Sequence, residues 1–491
     1  MNKVKIRFVL LLILLAGLFV SCREDVDFAP SLLTEEVLYL SGERVRLLGR
    51  VITNQVVEAS DHGFHVSTSE QFSQPIVISL GERSGPGRFI GESDGLEAGT
   101  RYYVRTFLKT SSGEIFGNTI TLESLLPGVN TMAPNNGRAG IVVTITGRNL
   151  GNDVEVYFGP NKAQVLGIDF ETRIRVQVPQ ATSSAVVPVR VLSQGREMTL
   201  GSPFEYTTGK YSIVGNFPFD FRLYDNVSIQ DGKDFYVGMG IFALGLSQTL
   251  TNRFWKYDLD VKTWSEVPFG GDGLFRAFST GRYFGGGLGN FTIHPSNASL
   301  NFWKIENGNF VKLRDLPSSA YLSASFETPD AVYVMGNGFG TGREILRYDK
   351  ATDSWTQKMD APIAINIHTM NFAYQGKQYF VDQASKLVFA YDPVDENWVQ
   401  VTSYPGNLTK DRGFGLTIDN IAYMGLENRS EQVWELNMQT LNWGLKNDFQ
   451  GMTQARNVGV FQDSGKIYIL RNNEIQVSGV MQLWLFEPKG F

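Results

Sequence analysis

The stretch Tyr257-Asp258-Leu259-Asp260-Val261-Lys262-Thr263-Trp264 carries the pattern that decides the fold of more than half of the chain. In this pattern a hydrophobic residue precedes an acidic one, and a tryptophan follows six positions after the acid. The pattern returns with decreasing strictness along the C-terminal half of the chain, at Tyr348-Asp349 with Trp355, Tyr391-Asp392 with Trp398, Leu436-Asn437 with Trp443, Ile305-Glu306 with Phe310, and Phe486-Glu487. The acidic positions of successive copies lie between 43 and 50 residues apart.

Six copies at this period predict a β-propeller with one blade for each copy. The last copy ends so close to Phe491 that its blade lacks the sequence for a fourth strand. The segment from Lys210 to Pro218 repeats the outer-strand pattern that follows Trp264, Trp355 and Trp398. We therefore expect the first and last segments of residues 210–491 to share one blade, which closes the ring and removes its open sheet edges.

An aromatic strand precedes each copy, and glycine follows it in four of them, as in Phe235-Tyr236-Val237-Gly238 and Ala422-Tyr423-Met424-Gly425. With the repeat itself, these segments resemble kelch repeats. The resemblance covers residues 210–491 and implies a six-bladed kelch-type β-propeller.

The N-terminus has the features of a lipoprotein signal peptide over residues 1–21. Basic residues precede an apolar run from Phe8 to Val20, which is too short to span a membrane. Cys22, the only cysteine, ends this run and resembles the acylated cysteine of a bacterial lipobox. Residues 22–29 would then be an acylated anchor and linker; the alternative is a plain signal with an incidental thiol. Glu24 and Asp25 resemble an export tag for the outer face of the outer membrane.

Two further β-domains are predicted between the anchor and the propeller. Residues 30–124 alternate with period two, and the run Leu96 to Arg105 resembles a fibronectin type III-like sandwich. Residues 126–208, with Gly140 to Gly147 and Val156 to Gly159, resemble the immunoglobulin-like IPT/TIG domain. The predicted fold class is all-β, with two Ig-like β-sandwiches followed by a six-bladed kelch-type β-propeller closed by an N-terminal strand.

Composition gives no support to nucleic-acid binding or to familiar catalytic chemistry. A net charge of −6 argues against a nucleic-acid partner, which needs a clustered basic surface. Four histidines and one cysteine offer no zinc spacing, so we predict no metal and no cofactor. Gly91-Glu92-Ser93-Asp94-Gly95 fits the G-x-S-x-G pattern but lacks the strand, turn and helix that a nucleophile elbow requires, so no catalytic residue is predicted.

Aligning the blades on their strand tyrosines places one loop residue of each blade at the mouth of the channel. These residues are Tyr224, Arg276, Tyr321, His368, Arg412 and Arg456. In kelch domains that bind acidic peptides, arginines at corresponding positions contact the ligand, so the resemblance implies a pocket for an anionic or polyhydroxylated ligand. The alternative is a structural role, in which the arginines pair with Asp225, Asp411 and Asp360 or bind blade carbonyls.

The tryptophans divide into two sets. Trp264, Trp355, Trp398 and Trp443 are expected to pack between blades. Trp255, Trp303, Trp434 and Trp484 either pack as well or, if exposed, stack against sugars.

These features favour a non-catalytic, surface-exposed outer-membrane lipoprotein that binds an extracellular glycan or peptide. It resembles accessory lipoproteins of polysaccharide-utilisation or peptide-uptake systems, which implies a TonB-dependent importer as partner. One alternative is a structural or adhesion role through protein contacts. The other is a kelch-type sugar epimerase in which His368 and Arg412 act as acid and base.

Overall fold

Strands form nearly all of the regular structure in a computed structural model, which describes residues 28–182, 184–473 and 481–491. The described residues divide into two compact units, one ending at Glu205 and the other beginning at Tyr206. Among these residues the helical exception is one 3-10 turn at Pro295–Asn297, and none of their helices could cross a membrane. The predicted signal peptide and Cys22 lie outside the described residues.

Eight strands form the first sandwich: β1 (Ser31–Leu40), β2 (Val45–Ile52), β3 (Ala59–Ser67), β4 (Ile76–Ser79), β5 (Gly87–Ser93), β6 (Arg101–Thr110), β7 (Gly113–Phe116) and β8 (Ile120–Glu123). One sheet has the order β1-β2-β5, and the other has the order β4-β3-β6-β7 with β8 also paired to β6. Alternate residues point inward, so that Leu47, Phe64 and Val104 are fully buried between the sheets. The fibronectin type III-like assignment stays a prediction.

Eleven strands form the second sandwich: β9 (Gly128–Ala133), β10 (Asn136–Gly137), β11 (Val142–Arg148), β12 (Glu155–Phe158), β13 (Asn161–Lys162), β14 (Gln164–Asp169), β15 (Arg173–Gln177), β16 (Val186–Val187), β17 (Val189–Ser193), β18 (Arg196–Thr199) and β19 (Phe204–Tyr206). Its main sheets have the orders β14-β15-β11-β9 and β13-β12-β17-β18, and a small sheet has the order β10-β19-β16. Ile145, Val156 and Val176 fill the core between the main sheets.

The propeller begins with β20 (Lys210–Asn216) and β21 (Arg222–Tyr224), and its first blade is β22 (Val227–Asp231), β23 (Asp234–Gly238), β26 (Phe254–Asp258) and β27 (Thr263–Val267). A hairpin of β24 (Ile241–Leu244) and β25 (Ser247–Leu250) lies between β23 and β26 in sequence. It pairs with β21 in a separate sheet of order β21-β24-β25.

Blades two to five each contain four consecutive antiparallel strands. They are β28 (Phe278–Thr280), β29 (Tyr283–Gly285), β30 (Phe302–Glu306) and β31 (Asn309–Lys312); β32 (Ala324–Glu327), β33 (Ala331–Met335), β34 (Ile345–Asp349) and β35 (Ser354–Gln357); β36 (Asn371–Tyr374), β37 (Lys377–Val381), β38 (Leu387–Asp392) and β39 (Asn397–Ser403); and β40 (Phe414–Ile418), β41 (Ile421–Gly425), β42 (Val433–Asn437) and β43 (Trp443–Leu445).

The sixth blade combines both ends of this unit. It comprises β44 (Asn457–Asp463), β45 (Lys466–Arg471) and β46 (Gln482–Glu487), and β20 pairs with β46 as its fourth, outermost strand. The predicted all-β fold class, with closure by an N-terminal strand, is confirmed. The kelch assignment of the repeats stays a resemblance.

The sequence repeat corresponds to one cross-strand pair between the two outer strands of every blade. The pairs are Tyr257 with Trp264, Ile305 with Phe310, Tyr348 with Trp355, Tyr391 with Trp398, Leu436 with Trp443, and Phe486 with Tyr211. Tyr211 therefore occupies the position that tryptophan or phenylalanine takes in the other five blades. Its ring stacks on Phe486 at a centroid distance of 4.5 Å and meets Phe449 edge-on at 5.3 Å.

The Tyr211 ring, and not its hydroxyl, should hold the closing strand in place. Tyr211→Ala removes the stacked ring and should lower the free energy of unfolding by about 2–4 kcal/mol. Tyr211→Phe should leave stability unchanged or raise it slightly, because the buried hydroxyl has no hydrogen-bond partner. All eight tryptophans lie between residues 255 and 484, so their fluorescence during denaturant unfolding reports on the propeller. Equal losses in both variants would contradict this role of the ring.

Candidate functional site

The mouth of the propeller is defined here as the end of the channel at which the innermost strands begin. All six residues predicted at the mouth lie there, one to three positions before the innermost strand of their blade. The alignment of the blades predicts that these six residues are structurally equivalent, but in the structure they are not. Tyr224, Tyr321 and His368 lie three positions before the strand, Arg276 and Arg412 two, and Arg456 one. The difference arises because the loops entering the blades differ in length.

Left-handed backbone recurs at the position two residues before the innermost strand. Asp225, Arg276, Leu322 and Arg412 have φ values of 49°, 56°, 58° and 37°. Non-glycine residues rarely adopt this conformation, and surrounding structure must hold each one in it. Four blades therefore share one strained entry into the channel wall.

A belt of six hydrogen bonds joins neighbouring blades around the mouth. Backbone N–H groups link the first four blades, from Arg276 to Asp225 O at 2.8 Å, from Leu322 to Arg276 O at 3.3 Å, and from Ile367 to Leu322 O at 2.8 Å. Side chains complete the circle: Arg412 N–H donates to His368 Nδ1 at 3.3 Å, Asn457 Nδ2 to Arg412 O at 2.9 Å, and Asn226 Nδ2 to Val458 O at 2.7 Å. We call these six links the mouth belt.

Charged side chains fill the space inside the mouth belt. Arg276 Nε donates to Asp225 Oδ2 at 2.9 Å, and its Nη1 donates to the Tyr321 hydroxyl at 2.5 Å. Arg456 Nε donates to Asp411 Oδ2 at 3.0 Å. We call this cluster, Asp225, Arg276, Tyr321, His368, Asp411, Arg412 and Arg456, the mouth plug. Two of the arginines thus form the ion pairs with Asp225 and Asp411 that the structural alternative required.

Arg412 lies at the centre of the mouth plug. Its Nη1 donates to Asn226 O at 3.0 Å, whereas its Nε and Nη2 are buried without a hydrogen-bond partner. Burial lowers the pKa of Arg412, and the nearby carboxylates of Asp225 and Asp411 offset this only in part. Burial alone would raise the pKa of Asp225, but Arg412 and Arg276 outweigh it, so that pKa lies below its usual range. Arg412 therefore neutralises buried acids.

His368 is a neutral acceptor in the mouth plug. Burial and the Arg412 guanidinium lower the pKa of His368 to about 4, against the pull of Asp411. Because Nδ1 accepts from the Arg412 backbone, the neutral ring carries its proton on Nε2. Asp411 Oδ1 lies 3.7 Å from Nδ1 and would face the proton if the ring became charged.

A polar cavity of about 290 Å³ opens beside the mouth plug, where the sixth blade meets the first. Its lining residues are Arg222, Tyr224, Gln248, Arg456 and Asn472, and we call it the seam pocket. Arg222 and Tyr224 come from β21 and Gln248 from β25, so the inserted hairpin builds one wall. Sequence analysis missed Arg222, Gln248 and Asn472. The available clue was the long interval between Tyr236 and Tyr257, which contains the inserted hairpin.

A second cavity of about 390 Å³ occupies the channel below the mouth plug. The innermost strands line it with small polar side chains, among them Ser228, Ser279, Ser325, Asn371 and Asn457. Arg412 and Asn226 also border it, which places the mouth plug between the channel and the outside.

The tryptophans are packing residues. Trp255 is buried, and the other seven are partly buried. Trp355, for example, packs on Tyr348 and Phe302 and donates its Nε1 proton to Arg314 O at 3.0 Å. None of the eight belongs to the exposed large hydrophobic residues, so an exposed sugar-stacking platform does not form on them.

The part of the chain that the structure describes holds no group of three or more histidine, cysteine, aspartate or glutamate side chains placed to bind a metal ion. The Ser93 of the G-x-S-x-G pattern ends strand β5 and is followed by an irregular segment instead of a helix.

Comparison with known proteins identifies one of the domains. Residues 127–207 match the family model of the IPT/TIG domain, so the second sandwich is an IPT/TIG domain. No curated protein matches the chain.

Solved structures resemble the chain only distantly. One, described as the structure of YjhT, is 14% identical over 55% of this chain and 96% of its own, with a TM-score of 0.44. Two come from Bacteroides thetaiotaomicron. A putative phosphatase is 12% identical over 73% of this chain and 97% of its own, with a TM-score of 0.39. An auxiliary nutrient binding protein is 13% identical over 73% of this chain and 98% of its own, with a TM-score of 0.36. Similarity at this level indicates nothing about function.

The low pKa of His368 predicts that the propeller loses stability on mild acidification. The unfolded histidine binds a proton near pH 6.5, but the folded one binds it only near pH 4. The free energy of unfolding should therefore be highest above pH 6.5 and should fall by up to about 3 kcal/mol between pH 6.5 and pH 4. Tryptophan-detected unfolding at each pH measures this. His368→Gln should flatten the curve in this window, whereas replacing the exposed His294 with Gln should not. A wild-type curve that is flat there would contradict the assignment.

The buried acid of the mouth plug should be essential for stability. Asp225→Asn leaves Arg276 and Arg412 without their shared carboxylate and should cost about 3–5 kcal/mol. Because the folded pKa of Asp225 is depressed, its contribution is present above about pH 4 and lost as the pH falls further through the folded pKa. The exposed ion-paired Asp419 is the matched control, and Asp419→Asn should cost no more than about 1 kcal/mol. Similar losses in the two variants would contradict the role of the mouth plug.

Proposed function

We propose that the chain is a non-catalytic, surface-exposed lipoprotein that binds an extracellular glycan or peptide at the propeller mouth. The observation that carries the proposal is the seam pocket, a concave polar site beside a rigid, internally paired mouth plug. Ligand sites are commonly concave and present a few convergent polar groups on a rigid scaffold. The IPT/TIG domain agrees with a binding or protein-interaction role.

The mouth also has the charge that an anionic or polyhydroxylated ligand requires. Three guanidinium groups of the mouth plug face two carboxylates, and Arg222 adds a further cation at its edge. The protein as a whole carries a net charge of −6. A local cationic excess on an acidic protein attracts anionic ligands to this end of the channel.

The alternative of a sugar epimerase receives less support from the geometry. Its proposed acid and base were His368 and Arg412. His368 Nδ1 already accepts the Arg412 backbone proton, and the low pKa makes the ring a weak base at neutral pH. The Arg412 guanidinium donates to a backbone carbonyl and neutralises the mouth plug. A structural role therefore suits these two residues better than proton transfer does.

The proposal includes a location and a partner. Acylation at Cys22 would hold the protein on the outer membrane, facing the cell exterior, and a TonB-dependent importer would receive the ligand. Cys22→Ala should release the protein from the membrane fraction into the soluble fraction. Membrane association that survives this change would contradict the lipid anchor.

The binding role is tested with glycan and peptide arrays probed with the full chain in detergent. Gln248→Ala changes an exposed side chain of the seam pocket, and it should weaken any hit at least several-fold without moving the unfolding transition. Gln439, an exposed glutamine in the turn at the opposite end of the propeller, provides the matched control Gln439→Ala. Absence of any hit would favour the adhesion alternative, and a hit that Gln248→Ala and Gln439→Ala weaken equally would place the site elsewhere.

A further inference from the structure

Three side chains of the seam pocket have polar groups that the protein itself does not use. Arg222 makes no ion pair or hydrogen bond through its side chain within the described residues, and its Nε is buried without a partner. The hydroxyl of Tyr224 and the carboxamide of Gln248, which also line the pocket, likewise form no hydrogen bond within the described residues. Elsewhere at the mouth, the arginines donate to carboxylates or carbonyls.

An unpaired guanidinium in a partly buried position is costly unless it meets an anion. Its planar fork can donate two parallel hydrogen bonds to a carboxylate, which is the strongest arrangement open to it. The guanidinium carbon of Arg456 lies 5.9 Å from the centroid of the Tyr224 ring, and this arginine adds positive potential to the same pocket. The anionic group of a ligand should therefore lie against Arg222.

The remaining two groups suit hydroxyls. The Tyr224 hydroxyl and the Gln248 carboxamide can each donate and accept, as sugar hydroxyls do. Burial raises the pKa of Tyr224, so its phenol stays protonated and able to donate at neutral pH.

The size of the pocket fits one sugar residue. Its volume is about 290 Å³. Asn472 forms a fixed wall, because its Oδ1 accepts from Arg456 N–H at 2.8 Å and its Nδ2 donates to Leu223 O at 3.2 Å.

We infer that the seam pocket binds a single carboxylated sugar residue, a hexuronate, with its carboxylate on Arg222 and its hydroxyls on Tyr224 and Gln248. This inference rests on the proposed binding function and names its ligand class. It also places the site beside the channel axis, outside the mouth plug.

The test is a calorimetric or saturation-transfer titration of the full chain in detergent with D-glucuronate and D-galacturonate. Glucose and galactose serve as uncharged counterparts, and an acetylated, amidated glutamate serves as a carboxylate without hydroxyls. We expect saturation by at least one uronate at concentrations where the neutral sugars and the glutamate derivative do not bind.

Arg222→Gln should raise the Kd for the uronate ten- to hundredfold, because a charge-assisted bond is lost. Tyr224→Phe should raise it several-fold. The unfolding transition should stay in place for Arg222→Gln, since Arg222 has no ion pair to lose. The matched control is Arg282→Gln. Arg282 follows the first strand of blade two, at the end of the propeller away from the mouth, and its side chain pairs with Asp231. This change should not alter the Kd.

The outcomes separate the two proposals. Uronate binding that Arg222→Gln leaves unchanged, or a preference for neutral sugars or the glutamate derivative, overturns the uronate assignment. In that case an array hit that depends on Gln248 would still support the binding function. Failure of every probe here and on the arrays overturns both.

Discussion

The mouth belt is the constraint on which the rest of the propeller depends. Each blade is a four-stranded sheet that could in principle tilt against its neighbours, and the aromatic pairs between the outer strands fix only the periphery. The six links fix the inner edge, where the chain enters four of the blades through strained, left-handed residues. Buried hydrogen bonds of this kind are expensive to leave unmade, so belt and blade orientation stabilise one another.

The belt also explains why so much charge can be buried at the mouth. Asp225 and Asp411 lie beside backbone that the belt holds in place, and the arginines neutralise them at short distance. A buried acid without such partners would shift its pKa upward and lose its charge. Here the balance favours the ionised state of Asp225. The arginines that resembled a ligand-binding ring are thus needed by the protein itself, and the cation left for a ligand is Arg222 on β21, the strand that pairs with the inserted hairpin.

The architecture could be predicted from the sequence because each copy of the repeat corresponds to two residues that pair across neighbouring strands. A hydrophobic residue and an aromatic one face each other across the two outer strands of each blade, so their spacing in the chain shows both strands. The closing strand could be placed by the same pattern, although Tyr211 stands where tryptophan is usual. The position of the six mouth residues was predicted to within two residues, since each precedes an innermost strand.

The pairing of those residues and the seam pocket could not be predicted. Whether Arg276 meets Asp225 or a ligand depends on the φ angles of single loop residues, which no repeat encodes. Gln248 belongs to an insertion found in one blade alone, and Arg222 lies on the strand that pairs with this insertion, so alignment of the blades passes over both. Asn472 is distant in sequence from both and reaches them only because the ring closes.

A crystal structure of the full chain with a bound uronate or the first array ligand tests the central claim most directly. The account predicts ligand density in the seam pocket with its anionic group on Arg222, while the Arg276–Asp225 and Arg456–Asp411 pairs stay intact. A ligand that instead displaces Asp225 or Asp411 and binds the arginines on the channel axis would contradict it, since the mouth plug would then be the site and not its support.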